Sequence, residues 1–291
     1  MICRAGAKGR ALDRLGIDFI SVFGMPPVAF VALAADLGCR HISLAPQPIT
    51  SNPHGYPHWS LLEDAALRRD VAAALRDHDV SVSLGEGFLV RPGVDIADSG
   101  APLFDVMEEL GVKRVNIASI EQDQGRGFDQ FAVFAGMAAA RGMESTLEYA
   151  PVMAPGDLPT ALAALRHVQR PDFRLLIDAM HFFRGGANVA DLAAVDPEQI
   201  GYIQLCDAPL AWTLQSYVDE ARYERLCPGE GELPLFDLLA ALPRHRVVGL
   251  EIPMQARALA GFGPKERLAP CIAAARALLA RVEDEMSVAR T

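Results

Sequence analysis

A β-prone run followed by a helix-forming run recurs eight times in these 291 residues, and that alternation leaves few folds open. The strand-like segments are Gly16–Phe23, His41–Ala45, Val80–Leu84, Lys113–Ala118, Glu144–Tyr149, Phe173–Asp178, Ile200–Cys206 and Val247–Ile252. The helical segments after them are Val28–Leu37, about Ser60–Asp77, about Ser99–Leu110, Phe128–Arg141, Leu158–Val168, a shorter one near Val189–Val195, Leu235–Leu242 and Pro264–Val282. A polar tail, about 283–291, closes the chain. Helices between successive strands imply parallel pairing through right-handed crossovers. Strands of such a sheet are buried on both faces and read as apolar runs, as these do. No shift in composition marks a linker, so the expectation is one domain over 1–291, an α/β fold closed into a (β/α)8 TIM barrel. An open doubly wound sheet would want a glycine-rich phosphate turn after its first strand, and Phe23-Gly24-Met25-Pro26 is not one.

Charge and cysteine usage exclude several classes. The formal net charge is -10 with no basic cluster to offset it, so nucleic acid would be repelled in the far field. Cys3, Cys39, Cys206, Cys227 and Cys271 are too dispersed for a disulfide framework or a thiolate zinc site and read as free thiols. No run approaches the ~18 apolar residues of a membrane helix. Met1–Arg10 carries positive charge without an apolar stretch behind it, which is not a secretory signal. The expectation is a cytoplasmic protein with no membrane and no nucleic-acid partner, acting on a small molecule, as a monomer or a homo-oligomer (dimer or tetramer).

In a barrel of this kind the chemistry sits where the strands end. Asp178 ends the sixth apolar run, with His181 in the loop beside it. Asp also starts turns by bonding its own backbone, so this position alone decides little. The fifth strand ends at Glu148, the seventh carries Gln204, and the eighth ends at Glu251. Salt bridges to Arg174, Arg184 or Arg246 could account for one of these tips. Four tips in succession point instead to a cation, because a buried carboxylate costs several kcal/mol unless paired or metal-bound. Glu148, Asp178, Gln204 and Glu251 make an all-oxygen set, which suits Mg²⁺ or Mn²⁺ better than Zn²⁺ or Co²⁺.

Several motifs carry a family resemblance: Leu-Glu-Tyr around 148, Ile-Asp-x-x-His at 177–181, Ile-Gln-Leu-Cys-Asp at 203–207, Pro-Gly-Glu-Gly-Glu at 228–232 and Leu-Glu-Ile at 250–252. Together they resemble the sugar phosphate isomerase/epimerase superfamily, the xylose isomerase-like barrels, and most closely its hydroxypyruvate isomerase and inosose dehydratase branches. Glutamine at 204, where ketose 3-epimerases have histidine, speaks against a free-ketose epimerase. The resemblance implies a metal on Glu148, Asp178, Gln204 and Glu251, with Glu148 and Glu251 as catalytic acid and base. A divalent ion spanning a carbonyl oxygen and the neighbouring hydroxyl acidifies the C–H between them and stabilises the enediolate. Isomerisation, epimerisation and elimination then share a first step, so the expected activity is that of a sugar isomerase or epimerase, or a lyase dehydrating a keto-inositol or 3-keto sugar. Two further readings are a metal-dependent endonuclease, which would need more histidines at strand tips, and a non-catalytic sugar sensor.

By the same family pattern His181 and Arg225 would contact substrate. Glu86, at the end of the third strand, and His58, in the long second loop, could line the mouth. The connection from Ala208 to Leu233 is long enough to be a lid or to make a dimer contact, and it carries Trp212, Tyr217 and Tyr223. Trp212 is the residue expected to cover a substrate larger than a triose.

Overall fold

The computed structural model describes residues 14–211 and 216–288. Eight parallel strands close into a barrel in chain order. They are β1 (Leu15–Ile17), β2 (His41–Leu44), β3 (Ser81–Val90), β4 (Arg114–Ser119), β5 (Glu144–Leu147), β6 (Phe173–Asp178), β7 (Ile200–Leu205) and β8 (Val248–Leu250). Leu15, Gly16 and Ile17 pair with Val248, Gly249 and Leu250 to complete the ring. This is the (β/α)8 barrel that the alternation implies.

Crossovers are made by α1 (Pro27–Asp36), α2 (Ala65–His78), α3 (Ile96–Glu109), α4 (Gln124–Ala140), α5 (Leu158–Val168), α6 (Ala179–Arg184), α7 (Tyr217–Tyr223) and α8 (Leu235–Ala241), and α9 (Gln255–Leu259) and α10 (Pro264–Val288) follow β8. One device starts many of them. Asp64, Asp95, Asp123 and Asp157 each accept a backbone N–H of the following turn, meeting donors that a helix start leaves unpaired. The main core lies between barrel and helices. Inside the barrel Leu84, Leu176 and Tyr202 form a separate small cluster, so the interior is packed rather than open.

Among the boundaries that differ from the sequence reading, five bear on the site or on the tail. The first strand stops at Ile17, because Phe19–Val22 turns into a 3-10 helix whose apolar side chains bury against the core. The third runs on to Val90. Gly85 pairs with Val115 and Phe88 with Ile117, so Glu86 and Gly87 form a bulge inside the strand rather than its end. His181 is not in a loop, since α6 begins directly after Asp178. The connection after β7 contains α7. The polar tail from about 283 is in large part helix, because α10 continues to Val288.

Candidate active site

The strand tips converge on one end of the barrel. Asp178 closes β6 and caps α6: its Oδ1 accepts the His181 N–H at 2.8 Å, and its Oδ2 accepts from Arg225 Nη1 at 2.5 Å. The turn-forming role and the site role therefore belong to the same residue. Burial would raise its pKa, but the charges of Arg225 and His181 more than offset that and hold it at about 2. Such a carboxylate is a poor base. Register sets Gln204 beside Asp178 on one side and Gly249 on the other. Gln204 Nε2 donates to Glu251 Oε1 at 3.0 Å. Glu251 Oε2 lies 2.8 Å from Arg225 Nη1 as an ion pair, out of line for a hydrogen bond. Burial, opposed by Arg225 but reinforced by Asp178 and Glu148, pushes Glu251 well above the usual carboxylate range.

Glu148 differs from these three. It follows β5, is half-buried, and faces a cavity of about 410 Å³. Its Oε2 accepts from Asn116 Nδ2 at 2.8 Å, and its Oε1 stands 3.6 Å from His181 Nε2. The far side of the imidazole is fixed by Tyr217, whose hydroxyl is 2.6 Å from Nδ1. The cavity is also lined by Glu86, Asn116, Arg91, Arg222, Arg225 and Glu251, with Phe19, Ile20 and Phe88 among its apolar walls.

Most of the expected site residues meet here. Glu148, Asp178, Gln204, Glu251, His181, Arg225 and Glu86 come together. His58 does not, being exposed in its loop and absent from the cavity lining. Trp212 lies outside the described residues, so its place is left open. Arg225 lines the cavity and is buried and tied to two carboxylates. The arginines considered as salt-bridge partners sit elsewhere: Arg174 pairs with Glu144, Arg184 with Glu220 and Arg246 with Glu198. All four cysteines among the described residues are buried and free.

Sequence reasoning missed Asp18. It follows β1, is fully buried, and its Oδ1 accepts from the Tyr202 hydroxyl at 3.0 Å. Burial raises its pKa to about 7, against the hydrogen bonds from Gln204 and Tyr202. Glu86 is likewise raised, by burial first and then by the Glu148 charge. Asp18 does end an apolar run, Leu15-Gly16-Ile17, as the other tips do. The signal was hidden because the apolar residues continue from Phe19 to Phe23.

The donors fit a hard divalent cation. Asp18 Oδ2, Glu86 Oε1, Gln204 Oε1 and Glu251 Oε2 are buried oxygens without a hydrogen-bond donor. Buried polar atoms are rarely left unpaired, and four in one place call for positive charge or protons. Arg225 alone cannot balance Asp18, Glu86, Glu148, Asp178 and Glu251.

The model of the xylose isomerase-like TIM barrel family matches residues 31–270, and the chain belongs to that family. Known structures share the architecture at low identity. The IOLI protein with a bound zinc atom superposes with a TM-score of 0.72 at 19% identity, over 92% of this chain and 97% of that one. The probable 3-DHS dehydratase AsbF from Bacillus anthracis gives 0.70 at 13%, over 89% and 97%. D-psicose 3-epimerase, crystallised in the presence of D-fructose, gives 0.68 at 13%, over 92% and 99%. A search of curated protein sequences returned no match.

Proposed function

We propose that this protein is a divalent-cation-dependent isomerase or epimerase of a small keto-sugar or keto-polyol, moving a proton at the carbon beside a carbonyl. The observation that carries the reading is the half-buried Glu148, open to the cavity beside Glu251 and backed by buried oxygens of Gln204 and Glu251 that have no hydrogen-bond donor. Glu148, Asp178, Gln204 and Glu251 would hold the cation, and their oxygens favour Mn²⁺ or Mg²⁺. When bound, the cation would draw electron density from a carbonyl and the adjacent hydroxyl and so acidify the C–H between them.

The rest falls to the chain's own groups. Glu148 Oε takes the proton, with Asn116 keeping the carboxylate aimed into the cavity. As the C–H bond breaks, its electron pair forms a C=C bond and the carbonyl π pair moves onto oxygen; in an isomerase the adjacent hydroxyl then gives its proton to that oxygen. Glu251, carried by β8 three strands from β5, returns a proton to the neighbouring carbon in an isomerase, or to the opposite face of the same carbon in an epimerase. His181, oriented by Tyr217, holds a substrate hydroxyl through Nε2. Asp178 stays ionised throughout. The cavity volume suits a ligand of monosaccharide size.

His181 also supports a second reading. An imidazole 3.6 Å from the base could hand its proton to a leaving hydroxyl, which makes the same site a lyase. The barrel serves proteins named for both reaction classes, an epimerase and a dehydratase.

The test is deuterium wash-in from D2O, with Mn²⁺ supplied, across a panel of keto-sugars and keto-polyols. At least one compound should take up deuterium beside its carbonyl, and Glu148→Gln should slow that exchange by about 10²–10⁴-fold. An enone absorbance growing in would mark the lyase. No exchange anywhere in the panel would overturn both readings.

A further inference from the structure

Two carboxylates in the barrel mouth stand outside the expected ligand set, and both reach Glu251. Asp18 follows β1, and the pairing of Ile17 with Leu250 sets it beside Glu251, the residue just after β8. Glu86 comes from β3, turned inward by the bulge it shares with Gly87, whose φ of 101° favours glycine. One oxygen from each of Asp18, Glu86 and Glu251 lies within 4.8 Å of the others.

In each residue one oxygen is held by a hydrogen-bond donor and the other has none, Glu251 Oε2 having only its ion pair with Arg225. Asp18 Oδ1 takes the Tyr202 hydroxyl, Glu86 Oε2 takes Asn116 Nδ2 at 3.3 Å, and Glu251 Oε1 takes Gln204 Nε2. Asp18 Oδ2, Glu86 Oε1 and Glu251 Oε2 have no hydrogen-bond donor, and the three residues are 0%, 7% and 6% exposed. A fourth bare oxygen comes from a neutral residue. Gln204 is fully buried, its amide touches both Asp18 and Glu251, and its Oε1 has no partner. The backbone leaves space for the cluster, because a Cβ on Gly249 would come within 2.2 Å of Asp18 Oδ1.

We propose that Asp18 and Glu86, with Glu251 and the amide oxygen of Gln204, bind a second divalent cation, next to the Asp178 side of the site and sharing Glu251 and Gln204 with it. Arg225 separates the two positions chemically. Its Nη1 lies between Asp178 and Glu251 and carries the positive charge there, while no cationic side chain pairs with Asp18 or Glu86 among the described residues. Three carboxylates and an amide oxygen make a hard site for Mn²⁺, Mg²⁺ or Ca²⁺, with coordination positions left for water. The inference goes beyond the reaction proposed above and is read by binding, not turnover.

The experiment is Mn²⁺ titration of chelator-treated protein, by calorimetry and by the electron paramagnetic resonance of free Mn²⁺, on the wild type, Asp18→Asn, Glu86→Gln and Asp178→Asn. Asp18→Asn and Glu86→Gln should each weaken one binding event by at least roughly 10–100-fold, the scale on which even outer partners of a metal matter. Asp178→Asn should leave that event at wild-type affinity. Wild-type stoichiometry and affinity in both Asp18→Asn and Glu86→Gln would overturn the proposal. So would equal loss of all Mn²⁺ in all three variants, which would mean one shared site. Each substitution keeps an oxygen acceptor, and the two lie on different strands, so if one variant fails to melt cooperatively the other decides. Absence of deuterium exchange would leave this result standing, and absence of Mn²⁺ at Asp18 would leave the exchange experiment standing.

Discussion

Gly249 and Asp18 constrain each other at the level of single atoms. A methyl group on residue 249 would lie 2.2 Å from Asp18 Oδ1 and 2.6 Å from its Cγ, distances a Cβ does not tolerate. Either the carboxylate moves out of the barrel or the β1–β8 pairing yields. Gly249→Ala should therefore destabilise the protein by about 1–3 kcal/mol, the usual cost of overpacking a filled interior. Adding Asp18→Ala removes the obstacle and should recover most of that loss. A double-mutant cycle by denaturant unfolding measures the coupling directly. An equal cost of Gly249→Ala with and without Asp18 would show that the side chain is not what the glycine accommodates.

At the level of elements, the stretch after β7 is held by Asp207. Its Oδ1 accepts the N–H groups of Ala208 (2.9 Å) and Leu233 (3.1 Å), and its Oδ2 accepts that of Gly229 (2.8 Å). Gly231 must be glycine for this approach, since a Cβ there would sit 2.3 Å from Oδ1. Asp207 also exchanges backbone hydrogen bonds with Leu226, which fixes the neighbouring Arg225 over the site. Asp207→Ala leaves three amides without their acceptor and should cost about 2–4 kcal/mol at roughly 1 kcal/mol each. Limited proteolysis should then cut first between Ala208 and Leu233; an unchanged cleavage pattern and melting temperature would reject the clamp. The sequence shows both halves of this clamp, Cys-Asp at 206–207 and Pro-Gly-Glu-Gly at 228–231, but not that they touch. The same limit governs the rest. α5 and β6 are read correctly end to end, because an Asp cap and the apolar run Leu175-Leu176-Ile177 are local signals. His181 is misplaced into a loop because a short helix capped by Asp178 carries too little periodicity to be seen. Asn116 and Tyr202 escape notice because what they hold, Glu148 and Asp18, lies 32 and 184 residues away.

At the level of the whole molecule, the formal net charge of -10 adds to a mouth where carboxylates outnumber cations, so folding and ion binding are linked through pH. Asp18 moves from its ordinary 3.8 to about 7, and Glu86 and Glu251 are also raised, because burial disfavours their charged forms. A raised carboxyl group contributes stability that is full below its unfolded pKa, near 4, and is lost as pH climbs through the folded value. Asp178, lowered to about 2 by Arg225 and His181, works the other way: its contribution is present above about 4 and fades only as pH falls toward 2. Between pH 5 and 8 the raised groups therefore dominate. Chelator-treated protein should melt at a lower temperature at pH 8 than at pH 5, by roughly 2 °C for each kcal/mol lost. A divalent cation binds the ionised forms and stabilises the folded state by mass action. Saturating Mn²⁺ should thus raise the melting temperature more at pH 8 than at pH 5. The measurement is thermal unfolding at both pH values, with EDTA and with MnCl2. A melting temperature in EDTA that is flat or rising from pH 5 to 8, with equal Mn²⁺ increments at both, would mean that these buried carboxylates do not set the stability of the barrel mouth.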